Sequence, residues 1–160
     1  MRYLFLFIVI CFLSSIQPLS AQKLKVMSYN IYHAEKAFDK GNSSLVPIAE
    51  LIRKHKPDFV ALQEVDSMTS RSGLVQKAHT ADLIAELSRL TGMYGYFGKA
   101  IDYEGGGYGL GILTRSPASP KIIRLPLPEG GEKRIVFYLK HTVSEWERTG
   151  ICFSAFISPV

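Results

Sequence analysis

A strand–helix–strand pattern near the start of the chain constrains the fold more than any other feature of the sequence. Leu24 to Asn30 reads as a buried strand, and Phe59 to Leu62 is a short apolar run typical of a strand covered on both faces. Between them, four apolar residues have the i, i+3, i+4, i+7 spacing of one helix face: Leu45, Ile48, Ala49 and Ile52. Two strands joined by such a helix indicate a crossover unit, in which a helix packs on a sheet.

The rest of the chain, up to residue 140, is typical of a sheet-rich α/β domain. Pro57 is expected to end the first helix, and a second helix is predicted over Leu83 to Leu90, with Gly92 as its C-terminal stop. Loops are expected at 31–44 and 66–76 because both segments are polar and contain glycine. Four short strands are predicted after the second helix: Tyr94–Ala100, Tyr108–Thr114, Lys121–Leu125 and Arg134–Lys140.

Residues 1–21 have the features of a secretory signal peptide. Arg2 precedes the apolar run Tyr3 to Leu13, and small residues lead to Ala21. The run is too short to span a bilayer comfortably, so a permanent membrane anchor is the alternative. Removal of 21 of the 160 residues would leave 139, enough for one domain. The expected location is therefore outside the cytoplasm, in a periplasm or the extracellular space, with no stable membrane span after cleavage.

Charge and cysteine content narrow the class of protein only slightly. The chain has 19 basic and 14 acidic residues, and loss of Arg2 with the leader would lower the net charge from +5 to +4. A mildly basic protein suits a polyanionic substrate, although many soluble proteins carry such a charge. Cys11 would leave with the leader and Cys152 would remain alone, which excludes a disulfide framework.

Two polar residues stand where the two predicted strands of the crossover unit end. Glu64 follows the apolar run that ends at Leu62, and Asn30 ends the first strand. Sites of α/β sheets usually lie at the carboxyl ends of the strands, and a carboxylate with an amide there could hold Mg²⁺ or Ca²⁺. The alternative is that Glu64 is a solvated strand end and Asn30 a turn former. The residues alone leave both readings open.

Five short motifs occur in order along the chain. They are S-Y-N-I at 28–31, L-Q-E-V-D at 62–66, T-S-R-S-G at 69–73, T-G-M at 91–93 and G-G-x-Y-G-L-G-I-L-T-R at 105–115. Together they resemble the endonuclease/exonuclease/phosphatase superfamily, which includes DNase I-like nucleases, abasic-site endonucleases, neutral sphingomyelinases and inositol-polyphosphate phosphatases. The resemblance implies a four-layer α/β sandwich of the DNase I-like type over residues 22–140, with the second sheet incomplete, and metal-dependent cleavage of phosphate esters.

The resemblance also implies roles for particular residues. Glu64 would be the principal ligand of Mg²⁺, with Mn²⁺ or Ca²⁺ as alternatives, and Asn30 would complete the metal site by orienting Glu64 or contacting phosphate. Arg71 resembles an active-site arginine that clamps a phosphate. Tyr108 would face the site with its hydroxyl or lie buried in the sheet. Arg134 resembles the arginine that opens the next strand of the family domain.

Several other polar or flexible residues gain no role from the resemblance. The histidines before residue 100, His33 among them, lack metal-ligand spacing and are expected at the surface. Asp66 and Asp102 are expected to cap loops. Gly105 to Gly107 is expected to form a hairpin turn rather than a phosphate-binding loop.

The family pattern is not continued after Arg134. The family would supply an N-T-H, a D-x-N and an S-D-H motif there, but His141 is the one histidine that follows and no aspartate occurs after Asp102. The chain thus contains the metal-binding part without the water-activating part, which implies little or no catalysis. We treat 141–160 as a divergent tail and hypothesise a frameshift, which would also account for Cys152. Absence of D-x-N and S-D-H from every downstream reading frame of the gene would refute it.

The substrate class stays open at this level. Nucleic acid, a phospholipid headgroup and a sugar phosphate all carry the phosphate ester that the family cleaves. A non-catalytic exported binding module that retains part of the fold is the alternative to an enzyme.

Overall fold

The computed structural model of the protein describes residues 23–127, 129, 131, 133–142 and 148–151, of which 141, 142 and 148–151 are described by their backbone alone. The predicted signal peptide at 1–21 lies outside these residues, as does most of the predicted tail at 141–160, so both remain predictions. No helix within the described ranges is long and apolar enough to cross a bilayer.

The described part of the chain forms three α-helices, ten strands and one 3₁₀ turn. The helices are α1 Leu45–His55, α2 Ser70–Gln76 and α3 Leu83–Thr91, and the 3₁₀ turn is Tyr32–Ala34. The first five strands are β1 Val26–Asn30, β2 Glu35–Lys36, β3 Asp39–Ser43, β4 Phe59–Thr69 and β5 Ala81–Asp82. The other five are β6 Tyr94–Tyr103, β7 Gly106–Thr114, β8 Lys121–Arg124, β9 Ile135–Thr142 and β10 Arg148–Ile151.

The main sheet has the strand order β1-β4-β7-β6, with β5 added at the end of β4. β1 runs parallel to β4, so the predicted crossover unit β1-α1-β4 is confirmed. The pairs β4–β7 and β7–β6 are antiparallel. A second sheet has the order β10-β9-β8, and β2 and β3 form a separate hairpin.

Each face of the main sheet contributes to its own apolar core. On one face, α1 and α3 pack against residues such as Val60, Leu62 and Leu113. On the other face, Ile135 and Phe137 of β9 pack against β6 and β7. The described residues therefore form layers in the order helices, main sheet, second sheet.

The elements with strong periodicity lie where the sequence predicts them. All four residues of the predicted face of α1 are buried, and α3 ends at Gly92, whose φ of 70° is the left-handed conformation that glycine adopts without strain. The turn between β6 and β7 is formed by Glu104 and Gly105, both with positive φ, as a type I′ hairpin turn requires. The predicted hairpin turn is thus confirmed at Gly105, whereas Gly106 and Gly107 belong to strand β7.

The two predicted loops are wrong. Segment 31–44 contains the 3₁₀ turn and the β2–β3 hairpin, and in segment 66–76 strand β4 continues to Thr69 and α2 follows at once. The Thr69 hydroxyl accepts the N–H of Ser72 and so caps α2. Gly73 explains how this polar helix packs, because a Cβ there would collide with the backbone carbonyl of His79.

Candidate active site

Glu64 lies in a β-bulge of strand β4. The pairing of β4 with β7 shifts between Leu62 and Val65, where one extra residue is inserted. Glu64 has φ 56°, a left-handed conformation that is uncommon for a residue with a side chain. The bulge interrupts the alternation of the strand and gives the half-buried carboxylate of Glu64 its direction.

Asn30 is brought to Glu64 by the register of the two parallel strands, in which Asn30 lies opposite Gln63. The Asn30 side-chain Nδ2 donates a hydrogen bond of 2.7 Å to Oε1 of Glu64. Its Oδ1 accepts the backbone N–H of Tyr32 at 3.0 Å. Both ends of the Asn30 amide are therefore engaged, and in this arrangement Asn30 orients the carboxylate.

The Asn30–Glu64 pair offers one carboxylate to a hard divalent cation. Mg²⁺ is commonly held by one or two carboxylates, with water and substrate phosphate oxygens completing its shell. Among the described residues, no three histidine, cysteine, aspartate or glutamate side chains gather as a metal site. The donor set at this edge is thus Glu64 steadied by Asn30, which suits a metal shared with substrate rather than one enclosed by protein.

Asp66 is a fully buried strand residue, so its prediction as a loop cap is wrong. Its carboxylate is 0% exposed and accepts two hydrogen bonds from Arg71, from Nε to Oδ2 at 2.9 Å and from Nη2 to Oδ1 at 2.8 Å. The Thr69 hydroxyl donates a third, to Oδ2, at 2.8 Å. Burial alone would lower the pKa of Arg71, but the hydrogen bonds and charge of Asp66 outweigh it and raise that pKa. Arg71 is a fixed cation in the first turn of α2.

Two tyrosines of the β6–β7 hairpin complete the surroundings of Arg71. Its guanidinium carbon lies 4.4 Å from the ring centre of Tyr103 and 5.3 Å from that of Tyr108. Nη1 of Arg71 also donates to the Tyr103 hydroxyl at 3.3 Å. Tyr108 is 3% exposed, so of the two predicted alternatives its ring belongs to the buried sheet. Tyr103 was not predicted, because a tyrosine before a hairpin turn carries no sequence signal of its own.

The turn of the β6–β7 hairpin is hydrogen-bonded to α2. The Ser70 hydroxyl donates to Oε2 of Glu104 at 2.9 Å, and the Ser70 N–H donates to the Glu104 carbonyl at 3.0 Å. The side-chain bond from Ser70 lowers the pKa of Glu104. The T-S-R-S-G motif and the glycine-rich hairpin therefore form one structural unit beside Glu64.

His33 is buried, with 7% of its surface exposed, so its prediction as a surface residue is wrong. Its Nε2 lies 3.3 Å from Oε2 of Glu35, whose other oxygen accepts the N–H of Gly41 at 2.6 Å. Burial lowers the pKa of His33, and the nearby charge of Arg71 lowers it further. The reason for the burial is local: Tyr32, His33 and Ala34 all have positive φ, which turns the chain back on the sheet edge. No residue pattern in the sequence predicts such a turn.

Several residues near Asn30 and Glu64 have a left-handed backbone conformation, with positive φ. Among described residues other than glycine, eight have positive φ, and two of these, Lys56 and Lys77, are ordinary helix C-caps. A third, Glu104, belongs to the β6–β7 hairpin turn, and the other five lie in the turn after Asn30 and in strand β4: Tyr32, His33, Ala34, Glu64 and Met68. Strained backbone persists where the surroundings fix it, and it is most frequent at functional sites.

Arg134 lines a cavity together with residues of strands β6 and β8. It is exposed ahead of β9, its carbonyl accepts the N–H of Leu125 at 3.0 Å, and it lines a cavity of about 790 Å³ together with Lys99 and Arg124. Asp102 also lines this cavity; it belongs to strand β6 and pairs with Lys99 at 2.7 Å, so its prediction as a loop cap is wrong. The site role of Arg134 remains a prediction.

The fold and this site define a class of α/β protein with an amide at the carboxyl end of one strand and a carboxylate at a bulge in the parallel strand beside it. The sequence model of the Endonuclease/Exonuclease/phosphatase family matches residues 27–140, a range that includes Asn30, Glu64 and Arg71. The chain belongs to this family.

Solved structures of the family share the fold. An endonuclease/exonuclease/phosphatase from Beutenbergia cavernae is 24% identical with a TM-score of 0.57, and the match covers 76% of this chain and 35% of that one. A family protein from Leptotrichia buccalis is 12% identical with a TM-score of 0.62, covering 85% and 54%. TDP2 from Caenorhabditis elegans is 18% identical with a TM-score of 0.56, covering 91% and 39%. The predicted α/β fold of the DNase I-like type is confirmed.

The chain spans about a third to a half of the length of these solved structures. No curated protein is significantly similar to it.

Proposed function

We propose that the chain is the metal- and phosphate-binding part of a phosphoesterase, a hydrolase that cleaves phosphate esters with a divalent cation at Glu64. The observation that carries the proposal is the Glu64 carboxylate, turned by a bulge and held by Asn30 at 2.7 Å. Family membership supports the reaction class, since the family is described as endonucleases, exonucleases and phosphatases.

The chemistry assigns a separate task to each residue. Glu64 would bind Mg²⁺, with Mn²⁺ or Ca²⁺ as alternatives, and Asn30 would keep its carboxylate in one orientation. A bound divalent cation would polarise the phosphoryl oxygen and stabilise negative charge on the leaving group. Arg71, fixed beside the same edge by Asp66, would supply a positive charge for the phosphate.

The general base is the part of the mechanism that these residues do not supply. The sequence contains no aspartate after Asp102 and no D-x-N or S-D-H motif. General bases and transition-state hydrogen bonds each contribute orders of magnitude to rate. We therefore expect the 160-residue chain to bind metal and phosphate but to hydrolyse esters slowly or not at all.

Substrate class and location belong to the same proposal. Nucleic acids, phospholipid headgroups and sugar phosphates all present the phosphate ester, and the net charge of +5 suits any of them. The leader-like start of the sequence supports export to a periplasm or to the extracellular space.

Direct measurement of metal binding tests the proposal without depending on turnover. Mn²⁺ would be titrated into the chain and its free concentration followed by electron paramagnetic resonance. We expect Glu64→Gln to weaken binding at least roughly tenfold, since it removes the charged ligand. The matched control is Glu86→Gln, an exposed glutamate on α3 that pairs with Arg89. Equal Mn²⁺ affinity in both variants would overturn the role of Glu64.

Hydrolysis should be measured alongside binding, on DNA and on bis(p-nitrophenyl) phosphate with Mg²⁺. Mg²⁺-dependent turnover that Glu64→Ala abolishes would support the phosphoesterase assignment. Metal and phosphate binding with slow or no turnover is the result that we expect of the 160-residue chain, whereas a folded chain with neither metal binding nor turnover would favour the alternative, a non-catalytic exported binding module.

A further inference from the structure

Arg71 is held from three directions, more than an ion pair requires. Asp66 takes Nε–H and one Nη2–H in the paired, planar geometry that a carboxylate offers a guanidinium. The Tyr103 hydroxyl takes one Nη1–H, and the Tyr103 ring lies against the guanidinium face at 4.4 Å. The direction of the group is therefore set in its own plane and perpendicular to it.

These contacts engage only some of the N–H donors of the Arg71 guanidinium. A guanidinium carries five N–H donors, and the contacts with Asp66 and Tyr103 engage three of them. One N–H on each of Nη1 and Nη2 is left over among the contacts of the described residues. The Arg71 side chain is 18% exposed, whereas Asp66 is not exposed at all. A partly exposed side chain with two unused N–H donors can donate to an oxygen of a ligand.

Helix α2, which carries Arg71, contacts both the 3₁₀ turn that follows Asn30 and strand β4, which carries Glu64. Arg71 is close enough to His33, three residues after Asn30, for its charge to lower the pKa of that histidine. A histidine kept neutral at neutral pH adds no second positive charge. Glu64 is two residues before Asp66 on the same strand. An anion bound through a metal at Glu64 would therefore be close to the helix that carries Arg71.

A buried ion pair is a costly way to gain stability alone. Removing two charges from water costs several kcal/mol per ion, and apolar residues of similar volume often stabilise a fold at least as well. The Asp66–Arg71 pair lies beside the apolar core that includes Tyr108. This favours a role that needs the direction of the guanidinium.

We propose that Asp66 and Tyr103 are positioning residues that aim the two remaining N–H groups of Arg71 at a phosphoryl oxygen of the ligand. This inference deepens the proposed function, since the phosphate is that of the substrate bound at Glu64. Neither Asp66 nor Tyr103 contacts the ligand; each acts through Arg71.

The test is nuclear magnetic resonance of the ¹⁵N-labelled chain, following the arginine Nε–H signals during titration with inorganic phosphate in the presence of EDTA. Arg71→Lys identifies the Arg71 signal by its loss. We expect the Arg71 signal to shift with phosphate and the signal of Arg89 to stay in place. Arg89 is the matched control, since it also donates Nε–H and Nη2–H to a carboxylate, that of Glu86, on an exposed helix face. An Arg71 signal that is visible but unmoved by phosphate would mean a structural pair and overturn the proposal.

Tyr103→Phe separates positioning from folding, because it retains the ring and removes the hydroxyl. We expect phosphate affinity to fall severalfold while the melting temperature changes little, whereas Arg71→Lys, which loses the planar fork, should weaken binding roughly tenfold or more. Unchanged phosphate affinity in Tyr103→Phe would remove Tyr103 from the proposal. Asp66→Asn tests the second positioning residue, and Tyr103→Phe still carries the test if that variant does not fold.

Glu64→Gln distinguishes this inference from the proposed function. In the absence of divalent metal, Glu64→Gln should leave the phosphate-induced shift of Arg71 in place. If Mn²⁺ binds without Glu64 but Arg71 still responds to phosphate, the proposed metal site fails and the positioning of Arg71 stands.

Discussion

Replacing Asp66 with alanine should lower the free energy of unfolding by about 3 kcal/mol. The Asp66 carboxylate is fully buried and accepts three hydrogen bonds, two from Arg71 and one from Thr69. Removing one partner of a buried ion pair costs about 3–5 kcal/mol, because the other charge is left uncompensated. We expect the low end of this range, since Arg71 is 18% exposed and water can partly solvate it once Asp66 is gone.

Urea denaturation measures this loss. With an m-value of about 2 kcal/mol/M, a 3 kcal/mol change would move the midpoint by roughly 1.5 M. A double-mutant cycle with Arg71→Ala isolates the coupling between the two side chains, which we expect to be about 2 kcal/mol, within the usual range for residues in contact.

The exposed pair Glu86–Arg89 on α3 provides the internal control for this cycle. Its N–O distance, 2.8 Å, equals that of the shortest Asp66–Arg71 contact, but both side chains are largely in solvent. Surface pairs of this kind couple by about 0.5 kcal/mol. A coupling between Asp66 and Arg71 no larger than that of the control would refute the argument that burial makes this pair matter.

Three further predictions concern the surroundings of the site. Burial and a neighbouring arginine lower the pKa of His33 below its usual 6.5, so the unfolded state binds this proton more readily and stability should fall as pH decreases below about 6.5. Denaturation at several pH values should show a smaller decrease in His33→Gln than in the unaltered chain, and an equal decrease in both would contradict this. Gly73→Ala should destabilise the fold by about 1–3 kcal/mol, because the new Cβ would collide with the backbone of His79. Gly107→Ala should cost less, because the nearest atoms there belong to the flexible side chain of Lys99. Similar melting temperatures for the two variants would contradict this. Asp82 caps α3 by accepting two backbone N–H groups, and Asp82→Ala should lower the free energy of unfolding by about 1 kcal/mol in urea denaturation. An unchanged urea midpoint would show that the cap does not stabilise the fold.

The sequence predicts the parts of this fold that depend on local periodicity. The apolar face of α1, the glycine that ends α3 and the hairpin turn at Gly105 each depend on a few neighbouring residues, and each lies where predicted. The surroundings of Arg71 could not be predicted in this way. Tyr103 reaches Arg71 across 32 positions of sequence, through a hairpin whose docking on α2 has no local pattern.

The errors at His33 and in segment 66–76 have a common physical cause. Both segments look polar and contain glycine, which favours loops, but in both some of the polar groups accept hydrogen bonds within regular structure. Glu35 accepts hydrogen bonds within its hairpin, and Asp66 accepts those of α2. Polar residues can be buried when they pair with one another, and composition cannot distinguish them from residues that face water.

The bulge at Glu64 is the feature that connects motif to site. In a regular strand Leu62, Glu64 and Asp66 would point to the same face, and Leu62 lies in the core beneath the helices. Both carboxylates would then be buried under α1 and α3, away from any ligand. The inserted residue shifts the alternation by one: Val65 takes the place in the helix-side core, and Asp66 pairs with Tyr108 on the opposite face. The motif L-Q-E-V-D therefore gives the candidate site only because its backbone departs from the strand that its apolar residues predict, and the left-handed conformation of Glu64 is a condition of the proposed function.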